Sequence, residues 1–160
     1  MQNRGCFIAM VVVGSAALAL SLSWFFYFLP QWKNLAASNM VFEIERRLEA
    51  YHTAFGAWPE GGNTDILLAL RGRNPGKTMF IREDHGFPIR ANAFIDQWEM
   101  PVIFTRTADG KPVPVSSGAN RKPGDGDDVD SSLAAKKAIE IFGAGKIPAY
   151  VPDPPAKTIP

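Results

Sequence analysis

Four aspartates, Asp125, Asp127, Asp128 and Asp130, fall within six residues of one another in the segment SSGANRKPGDGDDVDSS, residues 116–132. Three glycines and a proline in the same segment make the backbone turn instead of running as helix or strand. Carboxylates packed this closely repel one another. Such a loop either stays open and solvated or folds tightly around a hard cation. Asn120 precedes Asp127 and Asp128 by seven and eight residues. That span lets the loop fold back so that the three side chains and one or two backbone carbonyls converge. Calcium accepts roughly six to eight oxygens in flexible geometry, magnesium is more demanding, and zinc prefers nitrogen or sulfur. The EF-hand register, D-x-[DN]-x-[DN]-G with a glutamate closing the loop, is not met. On chemistry alone, calcium loop and solvated acidic turn both stand.

Other candidate chemistry is weaker. Gly72-Arg73-Asn74-Pro75-Gly76-Lys77-Thr78 has three residues between its glycines where a phosphate-binding P-loop has four, and it follows a helical pattern instead of a strand. It reads as a helix C-cap and connecting loop, so no nucleotide is expected. His52 sits one position from an apolar helical stripe, and His85 lies in a polar loop beside Asp84. Nothing in the sequence brings either near Ser116 or Ser117 as a nucleophile. No G-x-S-x-G elbow and no paired-histidine metal motif occurs. No catalysed reaction is expected.

The elements that must position the acidic loop follow from periodicity. Val41, Ile44, Leu48, Tyr51 and Phe55 recur at three- and four-residue intervals, a single helical face that should end near Gly56. Residues 60–62 make a turn, and Asn63 or Thr64 is placed to cap a short helix, DILLALRG, that Gly72 stops. MFIRE (79–83), PVIFTR (101–106) and PVPVSS (112–117) read as short strands, the last two joined at Ala108-Asp109-Gly110-Lys111. The prolines of the third suit an edge. Ser132 is placed to cap a further helix, LAAKKAIEIF, before a tail with five prolines from Pro148 onward that is expected to be unstructured.

A chain of 160 residues allows one domain. Outside the first 30 residues, 16 acidic and 16 basic side chains cancel, so no nucleic-acid-binding surface is implied. One cysteine, Cys6, excludes an internal disulfide; without an apolar stretch before it, it reads as a small apolar residue of a helix and not as a lipidation site. From Cys6 to Leu29 no charged residue occurs in 24 positions. About 20 apolar residues suffice to cross a bilayer as a helix, whereas the apolar region of a cleaved signal peptide is usually about 7–15. This run ends in Trp24, Phe25, Phe26 and Tyr27, aromatics suited to a membrane interface. A retained anchor is the expectation, joined to the amphipathic segment as one helix of roughly 50 residues with Pro30 as the place for a kink. The short flank carrying Arg4 favours a cytoplasmic N-terminus with residues 31–160 outside.

The order of membrane helix, amphipathic helix, Y-H-T-A-F-G-A-W-P, short helix, G-x-N-P, D-x-W-x-x-P, S-x-G-A-N and D-D-V resembles the major pseudopilin of type II secretion systems over roughly residues 35–132. In that family Y-x-x-x-x-G-x-W-P closes the long helix, here Tyr51 to Pro59, and D-P-W-G-x-P-Y opens the sheet, here Asp96 to Val102 with the aspartate, tryptophan and second proline kept. The resemblance implies an α+β fold of type IV pilin kind, a long N-terminal helix packed on a small antiparallel sheet. It implies a calcium loop over residues 116–130. Asn120, Asp127 and Asp128 would be side-chain ligands, and Ser117 and Asp125 would offer backbone carbonyls. Asn120 stands where the family has aspartate; one charge fewer means weaker affinity.

By the same likeness the chain is a structural subunit or accessory of a secretion pseudopilus-like assembly. It would sit in the inner membrane with a periplasmic domain, its partners other pseudopilin-like subunits, inner-membrane secretion components and lipid. The expected organisation is a flank 1–5, a transmembrane helix 6–29, a pseudopilin-like domain 30–132 and an extension 133–160 outside the resemblance. One departure favours a different role. Family members carry a glutamate at the fifth mature position, after a glycine cleavage point, which pairs with a neighbouring subunit. Here Gly5 is followed by Cys6-Phe7-Ile8-Ala9-Met10 and no acidic residue precedes Glu43. The alternative is a non-polymerising, membrane-tethered binding module on the same fold.

Overall fold

The computed structural model describes residues 3–82 and 85–142. Residues 1–2, Glu83 of the expected strand, Asp84 and the Pro-rich tail lie outside the described residues. The chain divides into two compact units, Met1–Lys33 and Asn34–Pro160.

Helix α1 runs Asn3–Phe55, 53 residues with Pro30 inside it. Among the described residues it is the one helix long and apolar enough to cross a membrane. In the first unit Trp24, Phe25, Phe26, Tyr27 and Phe28 are all exposed, an apolar surface that water does not favour. The few hydroxyls there are satisfied internally: Ser15 Oγ donates to the Val12 carbonyl at 2.9 Å and Ser21 Oγ to the Ala17 carbonyl at 2.8 Å. An apolar medium requires such pairing.

In the second unit the α1 stripe does what its spacing requires. Val41, Ile44 and Leu48 are fully buried and Tyr51 nearly so, with Phe55 packed at the margin. The helix stops at Gly56, whose φ of 68° only glycine adopts freely and whose N–H donates to the His52 carbonyl at 2.8 Å. Helix α2 (Asn63–Leu70) buries Ile66, Leu67, Ala69 and Leu70 against the same core. Its cap differs from the expected Asn63 or Thr64. Gly62 is the N-cap, and the Asp65 carboxylate accepts the Gly62 N–H at 3.1 Å. Asn63 is drawn instead into the tertiary structure. Its Nδ2 donates to the carbonyls of Phe94 and Val102 at 3.2 and 2.7 Å, and its Oδ1 accepts the Phe94 N–H at 2.8 Å.

Residues 79–82 do not form the expected strand. Met79 makes an isolated bridge to Arg71, and the N–H groups of Phe80 and Ile81 both donate to the Leu70 carbonyl at the end of α2. Burying these two side chains on the core outweighs sheet pairing here. The strands found are β1 (Ile89–Arg90), β2 (Ala93–Phe94), β3 (Ile103–Arg106) and β4 (Pro112–Val115), in two antiparallel hairpins, β1–β2 and β3–β4. The first turns through Ala91 and Asn92 at φ of 51° and 59°, a two-residue turn with both residues left-handed. In the second, Val113 and Val115 face Thr105 and Ile103, leaving Pro112 and Pro114 at the alternate positions. Helix α3 (Ser132–Phe142) begins at Ser132 itself. The expected cap therefore sits one position early: Asp130 Oδ1 accepts the Ser132 N–H at 2.9 Å, and the Ser131 carbonyl accepts from Ala135 at 2.8 Å. The architecture is a long apolar-to-amphipathic helix with small antiparallel sheets, compatible with α+β.

Candidate metal centre

The acidic loop leaves β4 and returns to it. Ser116 and Val129 exchange two backbone hydrogen bonds, at 3.0 and 2.9 Å, which closes the intervening residues into a ring-like loop. Its root is fixed from below by Asp96, which is buried at 4% exposure and accepts the Ser116 hydroxyl at 2.7 Å. The other Asp96 oxygen accepts the N–H groups of Trp98 and Met100 at 2.9 and 2.8 Å, so the D-x-W-x-x-P segment is a carboxylate-organised turn. Glu99 occupies the position where the resembled family has glycine, and its φ is 64°. The turn thus demands a left-handed residue that this chain supplies with a side chain attached.

Within the loop three of the expected site residues meet. The Asn120 N–H donates to Asp127 Oδ2 at 2.9 Å and its Nδ2 to Asp125 Oδ2 at 2.7 Å. The Asp127 N–H donates to Asp125 Oδ1 at 3.2 Å, and Gly124 N–H to Asp128 Oδ2 at 2.8 Å. Hydrogen bonding to the Asp127 side chain, then to the Asn120 amide and the Asp127 backbone, holds the Asp125 carboxyl below the usual carboxylate range. The two Asn120 donors thus bridge the Asp125 and Asp127 carboxyls. The Asn120 amide oxygen accepts the Lys122 N–H at 2.6 Å, so it is engaged inside the loop and must exchange that bond to face an ion. Ser117 is buried at 2% exposure.

Two atoms are left over by this internal network. Asp127 Oδ1 and Asp128 Oδ1 are both buried without a hydrogen-bond partner among the described residues. A buried acceptor left unmatched costs about 1–3 kcal/mol, and more when charged. A hard cation is one species that matches such a carboxylate oxygen. No three His, Cys, Asp or Glu side chains among the described residues converge on one point; the donors on hand are two carboxylates, an amide and backbone carbonyls.

Gly118 was not singled out by the sequence, yet it sets how tightly the loop closes. At φ 65° it lies so close to Asp127 that a Cβ there would sit 2.1 Å from the Asp127 carbonyl oxygen and 3.0 Å from Oδ2. The sequence signal was the glycine within S-x-G-A-N, one of several in the segment. The histidines lie in structural contacts: His52 stacks on Trp58 at 4.2 Å between ring centres, and His85 Nδ1 accepts the Arg82 N–H at 3.2 Å. In residues 72–78, Asn74 closes the loop on itself, bonding the Ala69 and Thr78 carbonyls and the Thr78 N–H, as a connector would.

Comparison of the chain with protein-family models, with curated proteins and with solved structures finds no match in any of the three.

Proposed function

We propose that this chain is a membrane-anchored structural subunit or accessory of a type II secretion pseudopilus-like assembly, in which residues 116–130 bind calcium and brace the end of the β3–β4 hairpin. The observation that carries the metal part is the pair of buried, unmatched oxygens on Asp127 and Asp128. Asn120 and Asp125 lie within hydrogen-bond reach of this pair's own network, and Ser117 adjoins the Gly118 approach. The segment order and the motifs around Trp58, Trp98 and Asn120 support the assembly part, as does the apolar first half of α1. The domain would face the periplasm and the anchor would contact lipid and neighbouring subunits.

A ligand that binds only the folded state stabilises it, by about 2.7 kcal/mol at a hundredfold excess over Kd. The full chain in detergent should therefore melt higher in calcium than in chelator. Asp127→Ala with Asp128→Ala should abolish the difference. An unchanged melt up to millimolar calcium, or an undiminished shift in the double variant, refutes the metal reading. Assembly is tested separately, by expression beside a secretion apparatus and cross-linking to its pseudopilins. The absence of an acidic residue before Glu43 favours one second reading, a tethered binding module that does not polymerise. It predicts no cross-linked ladder and an intact calcium response.

A further inference from the structure

Between α1 and α2 the chain builds a cleft that neither the metal nor the assembly reading uses. Tyr51, Trp58 and Leu68 line its apolar side and Glu60, Asp65 and Arg73 its charged side, around an open space of about 610 Å³. A space of that size takes a short peptide segment or a small ligand. The cleft is formed before anything enters it. Arg106, on β3, donates to the Pro59 and Gly61 carbonyls at 2.9 and 3.1 Å, which fixes the wall that carries Glu60. His52 stacks on the Trp58 ring at 4.2 Å, and the Lys111 ammonium lies 5.7 Å from the centre of that ring. Tyr51 packs on Phe55 and Phe80 at 4.8 and 5.5 Å between ring centres. Aromatic side chains held in this way lose little rotamer freedom when a ligand arrives.

The charged side has no internal use for its charges. Glu60, Asp65 and Arg73 are all exposed, and none of them enters an ion pair among the described residues. Two carboxylates and one guanidinium beside aromatic rings suit a segment that is apolar, carries both signs of charge and has a cation to offer. The groove next to it, over residues 71–79, is lined by Arg71, Arg73 and Lys77 without a carboxylate and would repel that cation. The chain itself contains a segment of the required kind. Beyond the end of α3 at Phe142, residues 148–157 read PAYVPDPPAK, with four prolines and with Asp153 and Lys157 four positions apart.

We propose that the cleft beside Trp58 is the docking site of residues 148–157 of the same chain, with prolines on Tyr51 and Trp58, Asp153 on Arg73, and Lys157 on Glu60 and Asp65. Proline-rich sequences favour the polyproline II helix, which docks in aromatic-lined grooves and offers its carbonyls to donors such as an indole N–H or a tyrosine hydroxyl. At 3.1 Å per residue, Asp153 and Lys157 are then about 12 Å apart, so each can meet its own partner across the cleft. The tether is long enough. Ten residues, 143–152, reach up to about 33 Å when extended, more than twice the radius of gyration of about 13 Å for a domain of roughly 100 residues. Docking in this way closes the cleft to any other proline-rich, basic segment.

Zero-length carbodiimide coupling of the full chain in phospholipid nanodiscs, with the amide-linked peptides identified by mass spectrometry, tests this. Lys157 should be joined to Glu60 or Asp65 in preference to the exposed Glu99, and more often than Lys146 is. In an equal mixture of nitrogen-14 and nitrogen-15 chains, the link should fall within single chains. Arg73→Glu should lower its yield about twofold to fivefold, the range of one exposed ion pair, and adding Asp153→Arg should restore it. Replacing Pro152, Pro154 and Pro155 together by alanine should lower the yield with every charge kept. These changes touch only the tail and an exposed arginine, so the core stays intact. A Lys157 link no more frequent than the Lys146 link, a link found only between chains, or a yield unmoved by Arg73→Glu or by the proline replacements overturns the proposal.

Discussion

Replacing Gly118 by alanine should be far more damaging than the same change at Gly124, although both glycines lie in the acidic loop at positive φ, 65° and 91°. The left-handed backbone costs an alanine about 1 kcal/mol at either position. At Gly124 nothing lies within 4 Å of the added Cβ, so the strain is the whole effect. At Gly118 the Cβ would sit 2.1 Å from the Asp127 carbonyl oxygen, a backbone atom that cannot swing aside alone. The loop must move, and the Asn120 N–H bond to Asp127 and the Asp127 N–H bond to Asp125 move with it. Two such bonds are worth about 1 kcal/mol each, giving a total near ~3 kcal/mol against ~1 kcal/mol. For a unit of this size 1 kcal/mol corresponds to about 4 °C in Tm. Melting the two variants in detergent, with calcium and with chelator, should show drops of about 12 °C and about 4 °C. Gly118→Ala should also erase most of the calcium-dependent part, and Gly124→Ala should keep it. Equal drops would mean that the close approach at Asp127 does not shape the loop, and the account of the candidate centre would fall with it.

Two further substitutions test the frame around the loop. Glu99→Gly removes a side chain from a residue at φ 64°, whose ion pair to Arg90 at 3.9 Å is solvent-exposed and contributes little. It should raise stability by about 0.5–1 kcal/mol in a urea titration, and a loss would refute the strain argument. Asn63→Ala deletes bonds to the Phe94 N–H and to the Phe94 and Val102 carbonyls that tie α2 to β2 and to the residue before β3. It should cost about 2–3 kcal/mol, whereas an ordinary surface cap residue costs about 1 kcal/mol; a loss of that smaller size would return Asn63 to the role of a simple cap.

What could be read from the residues was what rests on periodicity and backbone chemistry. The stripe from Val41 to Phe55, its stop at Gly56, the apolar run from Cys6 to Leu29 and the hairpin turning at Gly110 all follow from spacing that one residue type dictates. The first hairpin was not legible, because its turn is Ala91-Asn92, and alanine gives no signal for a left-handed position that Asn-Gly would advertise. MFIRE misled for the converse reason: a β-like run bounded by charges says nothing about whether a partner strand exists, and Phe80 and Ile81 found a helix end instead. Asn63 shows the same limit. Its type suits a cap, and only the fold reveals carbonyls from residues 94 and 102 within its reach. For the candidate centre, Asn120, Asp125, Asp127 and Asp128 were visible as oxygen donors, but Gly118 was not, because what makes it matter is an approach to Asp127 across the loop.

The two outcomes open to the acidic loop differ in what they ask of its surroundings. A solvated turn asks for nothing; its carboxylates repel, spread and hydrate, and its root gains nothing from being fixed. This loop is fixed at both ends. Ser116 is fully buried, bonded to a buried carboxylate beneath it and bridged to Val129 across the neck. Holding the neck shut forces three carboxylates, of Asp125, Asp127 and Asp128, into the space that Arg121 and Lys122, both exposed, do little to neutralise. Backbone N–H groups from Asn120, Gly124 and Asp127 match part of that charge, and the remainder points inward at the Oδ1 atoms of Asp127 and Asp128. Asn120 fits the same logic: an aspartate there would add a fourth carboxylate to the closed loop, whereas the amide donates a hydrogen bond to Asp125. A loop built to this plan lowers its electrostatic cost before any ion arrives, and so loses less when the ion leaves. The physical expectation is weak, reversible cation binding, in which the amide tunes affinity downward without dismantling the site.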